Sequence, residues 1–282
     1  MKKKILVVSV ILNIVLLGIV SFEAYYKRAS IVKYVNGKYD TIFKTNKNFE
    51  NSILVFNQTP YQSDVKYLNV DKFDKKVKIA ILGNSITFHG IVDGLWGHES
   101  GMAASSLEKD YVHLLLNKIS EEKQIGIEYI VIQIVDFERN FEQFENARLE
   151  IVREFAPEVL IFQIGENIST EKLITKGEIF EKNYVELIEY CKGKNTIICL
   201  PFWATKEKLE LITEVALKSE SYLVDLSHLG NGMEPLNFAK SENKYEHAGV
   251  AAHPGDYGME NIAKMLYITV NKVIEKDRKN CR

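Results

Sequence analysis

Cysteine is scarce in this chain, three among 282 residues. Cys191, Cys199 and Cys281 are an odd set without the close spacing of metal ligands, so they define no metal site and leave the redox compartment open. Cys199 lies in the apolar run "NTIICL" and reads as a small core residue. Net charge is scarce too. The 36 Lys and Arg against 38 Asp and Glu leave a formal -2, which offers no bulk attraction to nucleic acid or anionic lipid. Nucleic acid is therefore not an expected partner. No internal repeat and no low-complexity tract occurs. His89, His98 and His113, even with Asp93 and Glu99, lack the tight pairing of zinc ligands. No metal and no cofactor is expected.

What is present is an ordinary globular composition, 46% hydrophobic and 26% charged, long enough for one large domain or two small ones. The amino terminus stands apart. After Met-Lys-Lys-Lys comes "ILVVSVILNIVLLGIVSF", residues 5 to 22, free of charge. That length can cross the hydrocarbon core as a helix. The following "SFEAYYKR" is a poor cleavage site, which favours an uncleaved anchor over a removed signal peptide. Residues 1 to 27 are thus expected to be a single-pass membrane anchor. Lys2 to Lys4 favour a cytoplasmic start, and Lys27 and Arg28 on the far side blunt that asymmetry. The rest of the chain is expected on the extracytoplasmic side.

Residues 28 to 76 read as a membrane-proximal spacer, in which "SILVFN" and "VKYLNV" have the composition to pair as a small hairpin around Pro60. From residue 77 the pattern becomes strands alternating with helices. "VKIAIL", "IEYIVIQIV", "EVLIFQI", "NTIICL" and "SYLVDL" are continuous apolar runs, as strands buried on both faces are. Between them helical spacing appears at Val112, Leu115, Leu116 and Ile119, and at Phe180, Tyr184, Leu187, Ile188 and Cys191. The last helix should follow Asp256 as its cap and present Met259, Ile262, Ala263, Leu266, Val270 and Val273. These features predict an α/β domain over residues 77 to 282, a five-stranded parallel sheet covered on both sides. The apolar stripes are its core.

In open parallel sheets the chemistry sits beyond the carboxyl ends of the strands. There the sequence places Gly83, Asn84 and Ser85 after the first of these strands and "GEN", residues 165 to 167, after the third. Trp203 follows the fourth, and "HAGVAAHPGDYGM" lies between the fifth and the last helix. If the first and third strands are neighbours, their backbones lie about 4.8 Å apart, so Ser85 and Asn167 start close together. A serine becomes a nucleophile when a histidine takes its proton, and an asparagine amide is a fixed donor for the oxyanion of acyl transfer. Each residue also has a plainer reading. Gly-Asn-Ser is good turn chemistry, His253 before Pro254 could be an ordinary loop histidine, and "NIS" at Asn167 is formally a glycosylation acceptor.

Taken together, "GNSIT", "GEN" and "AAHPGDYGM" resemble the blocks of the SGNH or GDSL hydrolases over roughly residues 77 to 276. The resemblance implies a three-layer α/β/α flavodoxin-like fold with strand order 2-1-3-4-5. It implies Ser85 as nucleophile, His253 as general base and then acid, and Asn167 as oxyanion donor. The chain departs from the family pattern in three places. Asn84 replaces the usual Asp of the first block, Ile168 replaces an Asp that often follows the block Asn, and Val250 stands where the family often has the acid that supports the histidine. A backbone carbonyl or Glu246 could take over that support, leaving a Ser–His dyad with an unidentified third partner. After the second strand "DFERN" offers no glycine, so Gly101 or Arg139 are the candidates to complete the oxyanion site. Trp96 and Trp203 are read first as packing residues and second as sugar-stacking platforms. The resemblance thus implies an esterase acting on an acylated carbohydrate or surface polysaccharide. An O-acyltransferase using the same residues and a catalytically silent glycan-binding or assembly protein are the alternatives.

Overall fold

The computed structural model describes residues 64–242 and 244–280. The expected anchor, most of the spacer and the "SILVFN" half of the expected hairpin lie outside the described residues. Among the described residues no helix is long and apolar enough to cross a membrane.

Six strands form one sheet: β1 (Lys66–Leu68), β2 (Lys76–Gly83), β3 (Gly126–Gln133), β4 (Val159–Gln163), β5 (Asn195–Leu200) and β6 (Tyr222–Asp225). Their order is β1-β3-β2-β4-β5-β6, with β2 to β6 mutually parallel. The five parallel strands follow the expected 2-1-3-4-5 order. The expected count of five is corrected to six, because "VKYLNV" supplies Lys66–Leu68, which pairs antiparallel along the edge of β3 with Leu68 opposite Ile127. Asn69 then turns the chain out at φ 54°, and its side-chain amide donates to Ser120 Oγ at 2.9 Å.

The helices are α1 (Tyr111–Lys123), α2 (Val135–Asn140), α3 (Glu150–Phe155), α4 (Thr170–Cys191), α5 (Lys206–Lys218), α6 (Ala248–Ala251) and α7 (Asp256–Asn280). Successive strand residues face opposite layers. On one side Val77, Ile79 and Ile81 of β2 and Ile161 of β4 meet Leu115 and Ile119 of α1 and Ile262, Leu266 and Val270 of α7. On the other, Phe162 of β4 lies edge-on to Tyr184 of α4, with ring centroids 5.6 Å apart. Each large apolar side chain so buried contributes about 1.5–3 kcal/mol, so the sheet's core, not its edge, carries the stability. Cys199 is part of that core, and burial pushes its thiol pKa far up.

Polar residues stop and start the helices. Ser169 accepts from Lys172 N at the start of α4, which gives the serine of "NIS" a capping role. Asp256, expected as a cap, is instead the first residue of α7, and its carboxylate accepts from Ser105 N at 2.8 Å and from Ser105 Oγ, tying down an adjoining loop. The register fixes the active edge. Gly83 pairs with Gln133 on one side and Gln163 on the other, so the segments after β2, β3 and β4 leave side by side.

Candidate active site

The segment after β2 is a tight turn. Asn84 O accepts from Thr87 N at 3.0 Å and Phe88 N at 2.9 Å, while Asn84 Oδ1 accepts from Ile86 N at 3.1 Å. Gly83 is required here, since a Cβ would lie 1.8 Å from Thr87 Oγ1. The turn chemistry and the candidate nucleophile are the same residues. Ser85 Oγ stands 2.9 Å from His253 Nε2, and both side chains are buried.

His253 arrives from the opposite end of the domain, between α6 and α7. Its Nδ1 lies 2.7 Å from Gly249 O. A carbonyl only accepts, so Nδ1 carries the proton and Nε2 offers a lone pair to the Ser85 hydroxyl. A backbone carbonyl, one of the supports the sequence left open, thus orients the imidazole. Val250 is fully buried with Trp96, Met102, Ala103 and Ala239, and Glu246 is exposed. The Trp203 ring meets the His253 ring edge-on at 4.9 Å and 88°.

Burial lowers the His253 pKa from 6.5 to about 4, the Gly249 hydrogen bond pulls it back up, and nearby His89 lowers it further. A base must be neutral to act. The acid limb of kcat/KM is therefore expected near pH 4, read from a pH–rate profile. A limb near the ordinary histidine value of 6.5 would show that burial does not depress this imidazole. Because the folded pKa is depressed, His253 contributes stability that is fully present above pH 6.5 and lost as pH falls through about 4.

Asn167 follows β4 in a loop whose Gly165 adopts φ 130°, a conformation that favours glycine. Asn167 Nδ2 donates to Glu138 Oε2 at 2.8 Å, and its backbone N to Glu138 Oε1 at 3.3 Å. An amide nitrogen has two hydrogens, so one remains for an oxyanion. Ser85 N has no hydrogen-bond partner among the described residues, which leaves a backbone donor beside its own Oγ.

Glu138 was not singled out from the sequence. "DFERN" is the helix α2, and Glu138 is fully buried in it. The signal was its position: Glu138 is buried in α2 together with Val135 and Phe137, a carboxylate among apolar neighbours. Its neighbour in space is Glu166, also buried, whose Oε1 accepts from Phe202 N at 2.7 Å and Gln163 Nε2 at 2.8 Å. Burial and the charge of Glu138 raise the Glu166 pKa to about 7.

The other sequence candidates divide. Gly101 N donates to Asp110 Oδ2 at 3.3 Å, so that amide is spent on the loop. The glycine is needed because a Cβ would meet Ile86 O at 2.5 Å. Trp96 is 2% exposed, a plug for the loop and not a surface for stacking a sugar. Trp203 Nε1 is buried with no hydrogen-bond partner among the described residues, against the imidazole. Arg139 is half-buried, and its charge helps to lower the pKa of His89, after the larger effect of burial. His89 donates through Nδ1 to Gly90 O at 2.7 Å.

No family model matches this chain, and no curated protein matches it significantly. Among solved structures it is similar to a lipase/acylhydrolase from Enterococcus faecalis, with 16% identity and TM-score 0.47 over 69% of this chain and 95% of that one. It is similar to a family 3 carbohydrate esterase from Clostridium thermocellum, with 16% identity and TM-score 0.45 over 71% and 98%. A psychrotrophic esterase, EstA, from Pseudoalteromonas sp. gives 15% identity and TM-score 0.44 over 70% and 98%.

Proposed function

We propose that this chain is a serine-dependent acyl-transfer enzyme working through a Ser85–His253 dyad. More particularly, we read it as an SGNH-type esterase that removes acyl groups, acetyl above all, from a carbohydrate or surface polysaccharide. One observation carries this reading: Ser85 Oγ lies 2.9 Å from His253 Nε2, and Gly249 O holds the imidazole in the tautomer that can take the serine proton. An inert relative of the fold would have no need to keep that geometry buried at the strand ends.

The steps follow from the residues. Ser85 Oγ attacks the ester carbonyl as its proton passes to His253 Nε2. The oxyanion takes hydrogen bonds from Ser85 N and the second hydrogen of Asn167 Nδ2. His253 then gives its proton to the departing sugar oxygen, the C–O bond breaks, and an acyl-Ser85 ester remains. Water, deprotonated by the same Nε2, attacks that ester, releases the carboxylic acid and restores the serine hydroxyl. Gly249 O orients the imidazole throughout but stabilises imidazolium less than a carboxylate does.

The uncharged stretch of residues 5 to 22 supports the further proposal that the domain is tethered outside a membrane. One experiment tests both parts. Spheroplasts carrying the full chain receive a membrane-impermeant acetyl ester with and without oligosaccharide acceptors. Free acetate is expected at the same yield in both cases, abolished by protease added outside. Acetylated oligosaccharide as the main product would make the acyltransferase alternative correct, and activity seen only after lysis would reverse the placement.

A further inference from the structure

Glu138 and Glu166 lie buried beneath the nucleophile turn, and one side-chain amide touches both. Asn84 Nδ2 donates to Glu138 Oε1 at 3.1 Å and to Glu166 Oε2. Beyond that shared contact their surroundings differ. Glu138 also accepts from Gly165 N, Asn167 N and Asn167 Nδ2, which makes four N–H contacts in all. Glu166 accepts from Gln163 Nε2 and Phe202 N besides Asn84. A carboxylate only accepts, whereas a protonated carboxyl gives up acceptor capacity and needs an acceptor for its own O–H. Glu138 is surrounded by donors, so its contacts are satisfied in the ionised form.

Two adjacent buried carboxyls do not ionise together easily. The charged groups facing the pair are few. Lys208, from α5, donates from Nζ to the Glu166 backbone carbonyl at 3.0 Å, and Arg139 follows Glu138 on α2. Tyr111, Tyr184 and Cys199 also face it, and burial raises their pKa values, which keeps them neutral. Burial raises both carboxyl pKa values as well, Glu166 to about 7. The four donors pull Glu138 back down.

We propose that Glu138 is a positioning residue of the acyl-transfer site, holding Asn167 by one amide hydrogen so that the other meets the oxyanion. The chain that lacks an acid on its histidine thus places one behind its oxyanion donor. Fixing a donor before charge develops avoids reorganisation during the reaction, which is where such sites gain their rate. The role rests on the Ser85 esterase reading.

Glutamine imitates a protonated glutamate, so two isosteric variants separate the carboxyls. Glu138→Gln puts an amide where only an acceptor fits and turns Asn167 aside. It is expected to lower kcat by about 10²-fold on an acetyl ester with KM nearly unchanged, the scale of one lost oxyanion donor. Glu166→Gln, equally buried and also among donors but without a bond to Asn167, is expected to lower kcat by no more than about tenfold. A merely structural role would move both variants alike, in melting temperature and in rate. Equal losses in kcat, or a Glu138→Gln variant within about threefold of wild type, overturn the proposal while the esterase reading stands. If Glu138→Gln does not fold, Glu138→Asp keeps the charge but withdraws it by one methylene. Its kcat should fall with KM retained, and an unchanged kcat overturns the role. Absence of any Ser85-dependent turnover in the wild type overturns the esterase reading and the positioning role with it.

Discussion

Ser85→Ala and His253→Ala are each expected to lower kcat by on the order of 10⁶, and the double variant by no more than either single one, because nucleophile and base act as one unit. Ser85 offers its hydroxyl to His253 Nε2 alone among the described side chains, so alanine removes the nucleophile and little else. The folded state should tolerate it, since the sheet's stability lies in the apolar layers behind β2. His253→Ala differs. It removes a ring that packs against Trp203 and frees Gly249 O, so a modest fall in melting temperature should accompany the kinetic loss. A fluorophosphonate probe gives a second readout. It should label wild type at Ser85, label His253→Ala slowly, and leave Ser85→Ala unmarked. Labelling that persists in Ser85→Ala would move the nucleophile elsewhere. Residual catalysis in both variants should come from the donors, Asn167 and Ser85 N, which remain in place.

The parallel sheet was legible because its strands are buried on both faces, and continuous apolar runs such as "VKIAIL" carry that burial openly. The edge strand was not. Lys66–Leu68 spans only three residues, too few to show a period, and it is a strand because β3 offers it an edge. The dyad was legible because its parts stand at strand ends, where a parallel sheet gathers them. Its third partner was hidden for a physical reason. Gly249 O is a backbone atom, and any residue at that position would supply the same carbonyl, so the identity of Val250 next to it says nothing about the support of His253. Glu138 was hidden differently. The missing glycine of "DFERN" could be seen, but the hydrogen bonds that Asn167 and Gly165 donate to Glu138 join α2 to the loop after β4, and such a pairing has no local spacing. Gly101 is a candidate only because "DFERN" offers no glycine, and Trp96 because its loop lies at the active edge. Each instead serves the loop's own packing, one beneath Ile86 O and the other in a cluster with Val250.

Asn167→Ala should lower kcat by about 10² to 10³ with KM nearly constant, the loss expected when one preorganised oxyanion donor is removed. The structure qualifies how innocent that change is for the fold. Of the four N–H contacts on Glu138, alanine at 167 removes one and keeps the backbone N of that residue, so three remain. A loss of about 1.5–3 kcal/mol follows, the usual net value of one hydrogen bond to a charged group. Asn167→Asp sharpens the test. It is nearly the same size, yet it sets a carboxylate against Glu138 Oε2 where a donor now sits at 2.8 Å. Like charges in a buried site repel strongly, so the variant should be less stable than Asn167→Ala and no more active. Measuring kcat, KM and melting temperature for both variants separates the two roles this amide plays. A tenfold or smaller loss in kcat for Asn167→Ala together with a collapse in melting temperature would make Asn167 a structural ligand of Glu138 and leave the oxyanion to Ser85 N.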